Sequence, residues 1–357
     1  MHGTLPNPRD GLEDDRACRR AIRNGSKSFH AASLLLPKDV RRSALALYAF
    51  CRVSDDLVDD QGDRRIVRGR ATDELVDRLD RAYAGVPADH AADRAFARAV
   101  ERHAIPYALP FALIEGFRWD EAGRRYGTIG ELHAYGARVA SSVGAMMTLA
   151  MGVRDPVALA RACDLGLAMQ LTNIARDVGE DARNGRVYLP LDWLHAVGLD
   201  PDALIASPRF DPRLGAVVER LLEEAKRLYD RAGTGIGALP APCRTAIRAA
   251  LSIYSDIGRE ITRAGFDSVT GRAFTSRNRK LALAAAASRS RFENAPIDPA
   301  PPMPQVRYLV EAVRDHATTA APEPMERGLG RFMQLIDAMD GRRGVDLSAR
   351  VRCVPGE

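Results

Sequence analysis

Two aspartate clusters lie on stretches of helical periodicity, Tyr48–Asp60 and Gln170–Asp181, more than a hundred residues apart. In the first, Tyr48, Arg52, Asp55 and Asp59 step by four, three and four; in the second, Gln170, Asn173, Asp177 and Asp181 step by three, four and four. Residues at these spacings share one helix face. Carboxylates stacked on one face repel each other and call for water or cations. Two such faces set opposite each other in an apolar helical body make a cage for hard divalent metals. Magnesium takes oxygen ligands, keeps several waters and is usually completed by substrate phosphate. The pattern therefore points to an enzyme that handles a diphosphate, with Asp55, Asp59, Asn173, Asp177 and Asp181 as the metal-ligating candidates.

The rest of the chain agrees with a helical body. Most of its 357 residues follow a 3.6-residue rhythm, with helices expected over 38–60, 155–182, 213–233 and 241–264 among others, and alternating Val/Ile/Thr runs are missing. No GxGxxG follows a strand, and neither GxxxxGK[ST] nor GxSxG occurs, which removes support for Rossmann, P-loop and hydrolase readings. The expected fold class is all-α, a single-domain helical bundle. Residues 12–290 read as the catalytic domain, 291–304 as a Pro-rich linker and 305–357 as a short helical appendage.

Composition excludes several classes of function. The net charge of +5 comes from interspersed acids and bases, without the basic stripe or aromatic-interleaved motif that nucleic-acid binding wants. The five cysteines form no CxxC pair, which argues against zinc and a disulfide framework and fits a reducing cytoplasm. The first residues contain no signal-peptide core, and the longest smooth apolar run, Leu281–Ala287, is far short of the ~20 residues that span a bilayer.

Each cluster alone has a plainer reading. The first could be a solvated acidic helix end before the turn at Gln61-Gly62-Asp63, and Arg176 or Arg183 could simply pair with the second. Two matched faces, each containing DxxxD and a nearby arginine, weigh against that. The stretch Ala162–Met169 before the second cluster is apolar enough to lie inside a domain, where idle carboxylates are costly.

The motifs together resemble the squalene/phytoene synthase family of head-to-head prenyl transferases. Beside the two aspartate motifs, Ser26–Pro37 resembles the family's N-terminal substrate-binding segment. Tyr135–Gly144 is similar to its YxxxVAxxVG helix, and Arg183–Pro190 to its GRxYLP loop. The resemblance runs in order from about residue 18 to about 290. It implies an isoprenoid synthase-type bundle with a central active-site cavity, and about three Mg²⁺ or Mn²⁺ ions between the aspartate helices. It also implies Lys27, Tyr48, Arg52, Arg176, Tyr254 and Arg272 as diphosphate binders. Phe29, Phe50, Tyr135, Val139, Gly144 and Gln170, with Met169, are the cavity candidates; for the aromatic ones ordinary core packing is the alternative. The small residues from Gly136 to Gly144 suit either a prenyl chain passing close to backbone or close helix–helix packing.

Within the family, the wording of Ser28–Ser33, Leu45–Arg52 and Ala162–Gln170 is most similar to the bacterial phytoene-forming branch. That branch implies geranylgeranyl diphosphate as substrate, no NADPH, and ATP as an accessory factor in some relatives. A C15-using branch is the runner-up, and a non-catalytic scaffold relative the remote alternative. The expected location is the cytoplasm, with a peripheral inner-membrane contact for an insoluble product. The amphipathic stretch Arg213–Leu222 reads either as that docking surface or as a core-facing helix. Oligomeric state is not legible.

Overall fold

The computed structural model describes residues 8–59, 70–289 and 296–318, with the side chains of residues 8–10, 27–28, 55–59, 70, 288–289 and 318 outside that description. Among the described residues every regular element is helical, as the missing β-alternation predicts. The first part of the chain supplies α1 (Pro8–Gly25), α2 (Lys27–Ser33), α3 (Lys38–Asp59), α4 (Arg70–Tyr83), α5 (Ala91–His103), α6 (Ala108–Glu121), α7 (Ile129–Gly136) and α8 (Ser142–Ala150). The second part supplies α9 (Pro156–Arg183), α10 (Leu191–Ala196), α11 (Pro201–Ala206), α12 (Pro212–Gly235), α13 (Ala241–Arg263), α14 (Arg277–Arg289) and α15 (Arg307–Thr318). A π-helical turn, Ala137–Ser141, joins α7 to α8.

Three of these helices begin at an Asp-Pro pair. The carboxylates of Asp155, Asp200 and Asp211 accept from the N–H groups of Ala158, Asp202 and Arg213 at 2.8, 3.0 and 2.8 Å, and the following proline opens the first turn. The aspartate satisfies an otherwise orphaned donor, and proline has no N–H to lose there.

The 28-residue α9 is the central element. It is buried along most of its length and mostly apolar up to Met169, with its polar and acidic residues concentrated in the C-terminal half. On one side it packs with α12 and α13 through Leu171, Val218, Leu221, Leu228 and Ile257. A second core, built by α3, α5, α6 and α8, contains Leu47, Phe50, Phe96, Leu113 and Met146. Where α9 crosses the π-turn and α8, backbones nearly touch. A Cβ on Gly166 would lie 2.5 Å from the Ala140 carbonyl oxygen, and one on Gly144 would lie 2.6 Å from that of Ala162. The small residues of this segment therefore serve helix packing, and Ala140 and Gly144 also face the cavity described below.

The C-terminal region departs from the expected linker and appendage. Residues Met1–Asp315 form one compact unit; a second begins at His316 and lies almost entirely outside the described residues. Between residues 296 and 315 the chain packs on the helical body. The carbonyls of Asp298 and Ala300 accept from buried Arg161 at 2.9 and 3.2 Å, and Val306, Leu309, Val310 and Val313 join the core of α6 and α8. Proline removes donors but leaves carbonyls that need partners, and arginine supplies them. The apolar residues then follow helical spacing, which composition alone obscured.

No helix among the described residues is long and apolar enough to cross a membrane. The stretch Arg213–Leu222 is not an exposed docking surface, because Leu214, Val217, Val218 and Leu221 all lie in the core. The glycines make opposite predictions. Gly166→Ala forces α9 away from Ala140 and should cost about 1–3 kcal/mol. Gly233→Ala on α12 has open space and should stabilise by up to about 1 kcal/mol. Denaturant unfolding of the two variants checks both signs.

Candidate active site

A cavity of about 330 Å³ lies between α2, α3, the π-turn and α8, α9, α12 and α13. On α9 its wall is formed by positions 158, 161, 162, 165, 166, 169, 170 and 173, a single helical stripe. On α3 the wall comprises Ala44, Leu47, Tyr48 and Cys51. The lining is overwhelmingly apolar, with Tyr48, Gln170 and Asn173 grouped toward the C-terminal ends of α3 and α9. The acidic residues continue from that end, so one face of α9 passes from hydrocarbon wall to charge.

Phe29, Val139, Gly144, Met169 and Gln170 line this cavity. Phe50 and Tyr135 do not, and these two expectations need correction. Phe50 lies two positions from Tyr48, on the opposite side of α3, where it is fully buried and stacked on Phe96 with ring centroids 4.0 Å apart. Tyr135 precedes the π-turn. Its hydroxyl donates to Asp120 at 2.9 Å, and its ring packs among those of Tyr126 and Tyr188. The extra residue in a π-turn shifts helical register, so the lining resumes only at Val139.

The second acidic cluster is strongly organised. Both oxygens of Asp177 receive guanidinium donors: Arg176 at 2.8 and 2.6 Å, and Arg272 at 2.8 and 3.1 Å. Arg272, from the segment between α13 and α14, also lies 3.4 Å from Glu180 and is half exposed. Burial alone would raise the Asp177 carboxyl, but the hydrogen bonds from Arg176 and Arg272 outweigh it and hold it below the usual range. Asp181, one turn on, is pushed up to about 7 by burial and then by the Asp177 charge; Glu180 and Asp120 add to this, while Arg186 opposes it. Arg176 and Arg272 thus sit on the acidic face itself, with their forks engaged by Asp177.

Tyr254 of α13 reaches the same region. It is buried, its ring centroid lies 5.1 Å from that of Phe29, and Phe29 in turn lies 6.3 Å from Tyr48. Burial raises the Tyr254 hydroxyl to about 12, although a hydrogen bond with Ser26 and the Arg176 charge work in the other direction. An aromatic trio therefore links α2, α3 and α13. Arg52 lies on α3 one turn beyond Tyr48. The side chains of Lys27, Asp55 and Asp59 lie outside the described residues, and with them the α3 half of the expected cage.

Asp120, at the end of α6, was not singled out from the sequence. It accepts from the hydroxyls of Tyr135 and Tyr188 at 2.9 and 2.8 Å and adds a third acidic element near Asp181. A single aspartate in Phe117-Arg118-Trp119-Asp120-Glu121 has no helical partner, so spacing carried no signal for it.

Asn173, Asp177 and Asp181 are oxygen donors one turn apart. The crowding that raises Asp181 is what a divalent cation relieves, so this donor set fits a hard metal ion. The arrangement couples an apolar chain-sized cavity to a face that can hold cations and, through Arg272, an anion.

Comparisons with known proteins bear on what such a site does. The family model described as squalene/phytoene synthase matches residues 22–280. The chain is 53% identical over 304 residues to a phytoene synthase of Rhodobacter capsulatus, covering 84% of this chain and 89% of that protein. It is 54% identical over 309 residues to a phytoene synthase of Cereibacter sphaeroides, covering 83% and 86%. Among solved structures, a dehydrosqualene synthase in complex with ligand superposes with a TM-score of 0.69 at 28% identity, covering 78% of this chain and 97% of that one.

Core and cavity-lining phenylalanines are separable by stability. Phe50→Ala should lower the unfolding free energy by about 3–5 kcal/mol. Phe29→Ala, at a position already 36% exposed, should lose less than half as much. Parallel denaturant melts check the contrast.

Proposed function

Because this chain belongs to the squalene/phytoene synthase family, we propose that it is a prenyltransferase that condenses two molecules of geranylgeranyl diphosphate head to head into phytoene. The observation that carries the reading is the continuous stripe of α9, apolar along the cavity and acidic beyond it. Length supports the C20 substrate. From Ala158 to Asn173 the stripe spans fifteen residue steps, about 22 Å at 1.5 Å each. A residue's three main-chain bonds extend about 3.4 Å, so a four-bond prenyl unit extends about 4.5 Å and four units about 18 Å. Four units reach from the level of Asn173 to that of Arg161, twelve steps or about 18 Å back along α9, where three would stop about one turn short.

The family acts on prenyl diphosphates and is generally divalent-metal dependent. Asn173, Asp177 and Asp181, with Asp55 and Asp59 from α3, are the residues that would hold Mg²⁺ or Mn²⁺. Bound metal supplies charge neutralisation at the diphosphate oxygens. Arg52 and Tyr48 on α3, and Arg176 and Arg272 on the α9 side, orient the leaving diphosphate and stabilise the charge that develops as its C1–O bond ionises. Lys27 is assigned to the same anion by its motif. Tyr254, assigned to the same anion by the resemblance, is buried against Phe29.

The allylic cation is captured by the 2,3 double bond of the second substrate, and loss of a proton gives a cyclopropylcarbinyl diphosphate. A second ionisation, ring rearrangement and a further proton loss yield the linear C40 hydrocarbon with a conjugated triene at its centre. Apolar walls exclude water, and Phe29 in the lining offers an aromatic ring to cationic character. The last step releases a proton rather than accepting hydride, so NADPH has no role in this reading. The product is an insoluble hydrocarbon, for which the exposed Phe274 and Leu281 near the Arg272 segment offer a peripheral membrane contact.

Incubating purified protein with geranylgeranyl diphosphate and Mg²⁺ or Mn²⁺ should yield a C40 hydrocarbon with a central conjugated triene without NADPH, and chelation should abolish it. Parallel arms contain ATP or farnesyl diphosphate. Asp55→Ala and Asp177→Ala should each reduce turnover by at least about 100-fold. Activity near wild type in either variant would sink the metal-cage assignment.

A further inference from the structure

Near its deep end, one turn short of Ala158 on α9, the cavity carries a charged residue. Twelve residue steps back along α9 from Asn173, about 18 Å, Arg161 belongs to the lining although its side chain is only 1% exposed. Its guanidinium is engaged away from the hydrocarbon space. Nε lies 2.9 Å from Asp164 Oδ2. Nη1 donates to the Asp298 carbonyl at 2.9 Å and lies 3.1 Å from its carboxylate, and Nη2 donates to the Ala300 carbonyl at 3.2 Å. What Arg161 offers the cavity is therefore its carbon stem. Gly235 faces that stem from α12, and a Cβ there would collide with Arg161 Cβ and Cγ.

The chain that holds the guanidinium is itself tied down. The Asp298 N–H donates to Thr234 Oγ1 at 3.0 Å, and the Ala300 N–H donates to Asp298 Oδ1 at 2.9 Å. Arg231 of α12 meets Asp164 at 3.1 Å. This strap lies beyond residue 280, where the family match ends. Leucine or methionine would fill the floor of a hydrocarbon cavity without the cost of burying a charge. A buried arginine there makes the floor's position depend on main chain 137 residues away. Its planar fork leaves the stem few alternative placements.

We propose that the Asp298–Pro301 strap sets the depth of the prenyl cavity by locking the Arg161 stem as its floor, and so sets the chain length the site accepts. This rests on the prenyl diphosphate function above. The strap acts through Arg161 rather than on substrate, so Asp298 and Thr234 are positioning residues.

The test compares kcat/KM for C15, C20 and C25 allylic diphosphates with full-length protein and Mg²⁺. Arg161→Ala deepens the cavity and should raise the C25-to-C20 ratio at least about tenfold, the scale on which apolar pockets discriminate by size. Asp298→Ala and Thr234→Val, neither in the lining, should move the ratio in the same direction. Circular dichroism establishes folding, and if Arg161→Ala fails to fold the two strap variants decide the matter. An unchanged ratio in folded Arg161→Ala, or in both strap variants, overturns the proposal while leaving the function intact. Wild-type protein inactive on all three diphosphates would overturn the function, and the proposal with it.

Discussion

Carboxylates on a helix buried along most of its length are the constraint around which this molecule is arranged. A buried charge is costly unless it is paired and hydrogen-bonded, and α9 carries several. Asp164 is completely buried and answered by Arg161 and Arg231. Asp177 is answered by two guanidinium forks, and Asp181 has its carboxyl pushed up to about 7. The first solution is closed around Asp164 and Arg161, both buried, with Arg231 only partly exposed. The second opens toward the cavity mouth, where half-exposed Arg272 is within reach of an incoming anion.

The same helix carries hydrocarbon wall and acidic face, so the distance between reaction centre and cavity floor is fixed by helical rise. That fixed length matters only if neighbouring helices cannot slide. The crossing of α9 with α8 and the π-turn provides this, because Gly144 and Gly166 bring backbone against backbone with no flexible side chain to yield. The π-turn also rotates the segment so that Val139 faces the cavity while Tyr135 turns to Asp120. One local irregularity separates the cavity wall from the polar network behind the acidic face.

Much of this was legible beforehand. Helical periodicity, Asp-Pro starts and spacings of three and four residues are local properties, governed by bond geometry and by donors the chain must satisfy within a turn or two. They suffice for the all-α class, for α3 and α9, and for the shared face of Asn173, Asp177 and Asp181. Phe50 could have been excluded on the same grounds, since its angle on α3 differs from that of Tyr48. Asp120 could not have been found this way, because its partners come from α7 and from the loop after α9. The Pro-rich stretch misleads for a related reason: composition reports the donors a segment lacks and is silent about donors supplied from elsewhere.

By itself the sequence determined which side chains share a helix face, where helices begin, and which residue types could hold metal and diphosphate, since all of these follow from contacts within a few residues. Only the tertiary structure decided that Arg272 reaches Asp177, that Asp120 lies behind Asp181, and that Arg161 is held in the cavity wall by a strap from the far end of the chain. Those are pairings between groups tens to more than a hundred residues apart. The spacing of residues along one helix carries no information about them.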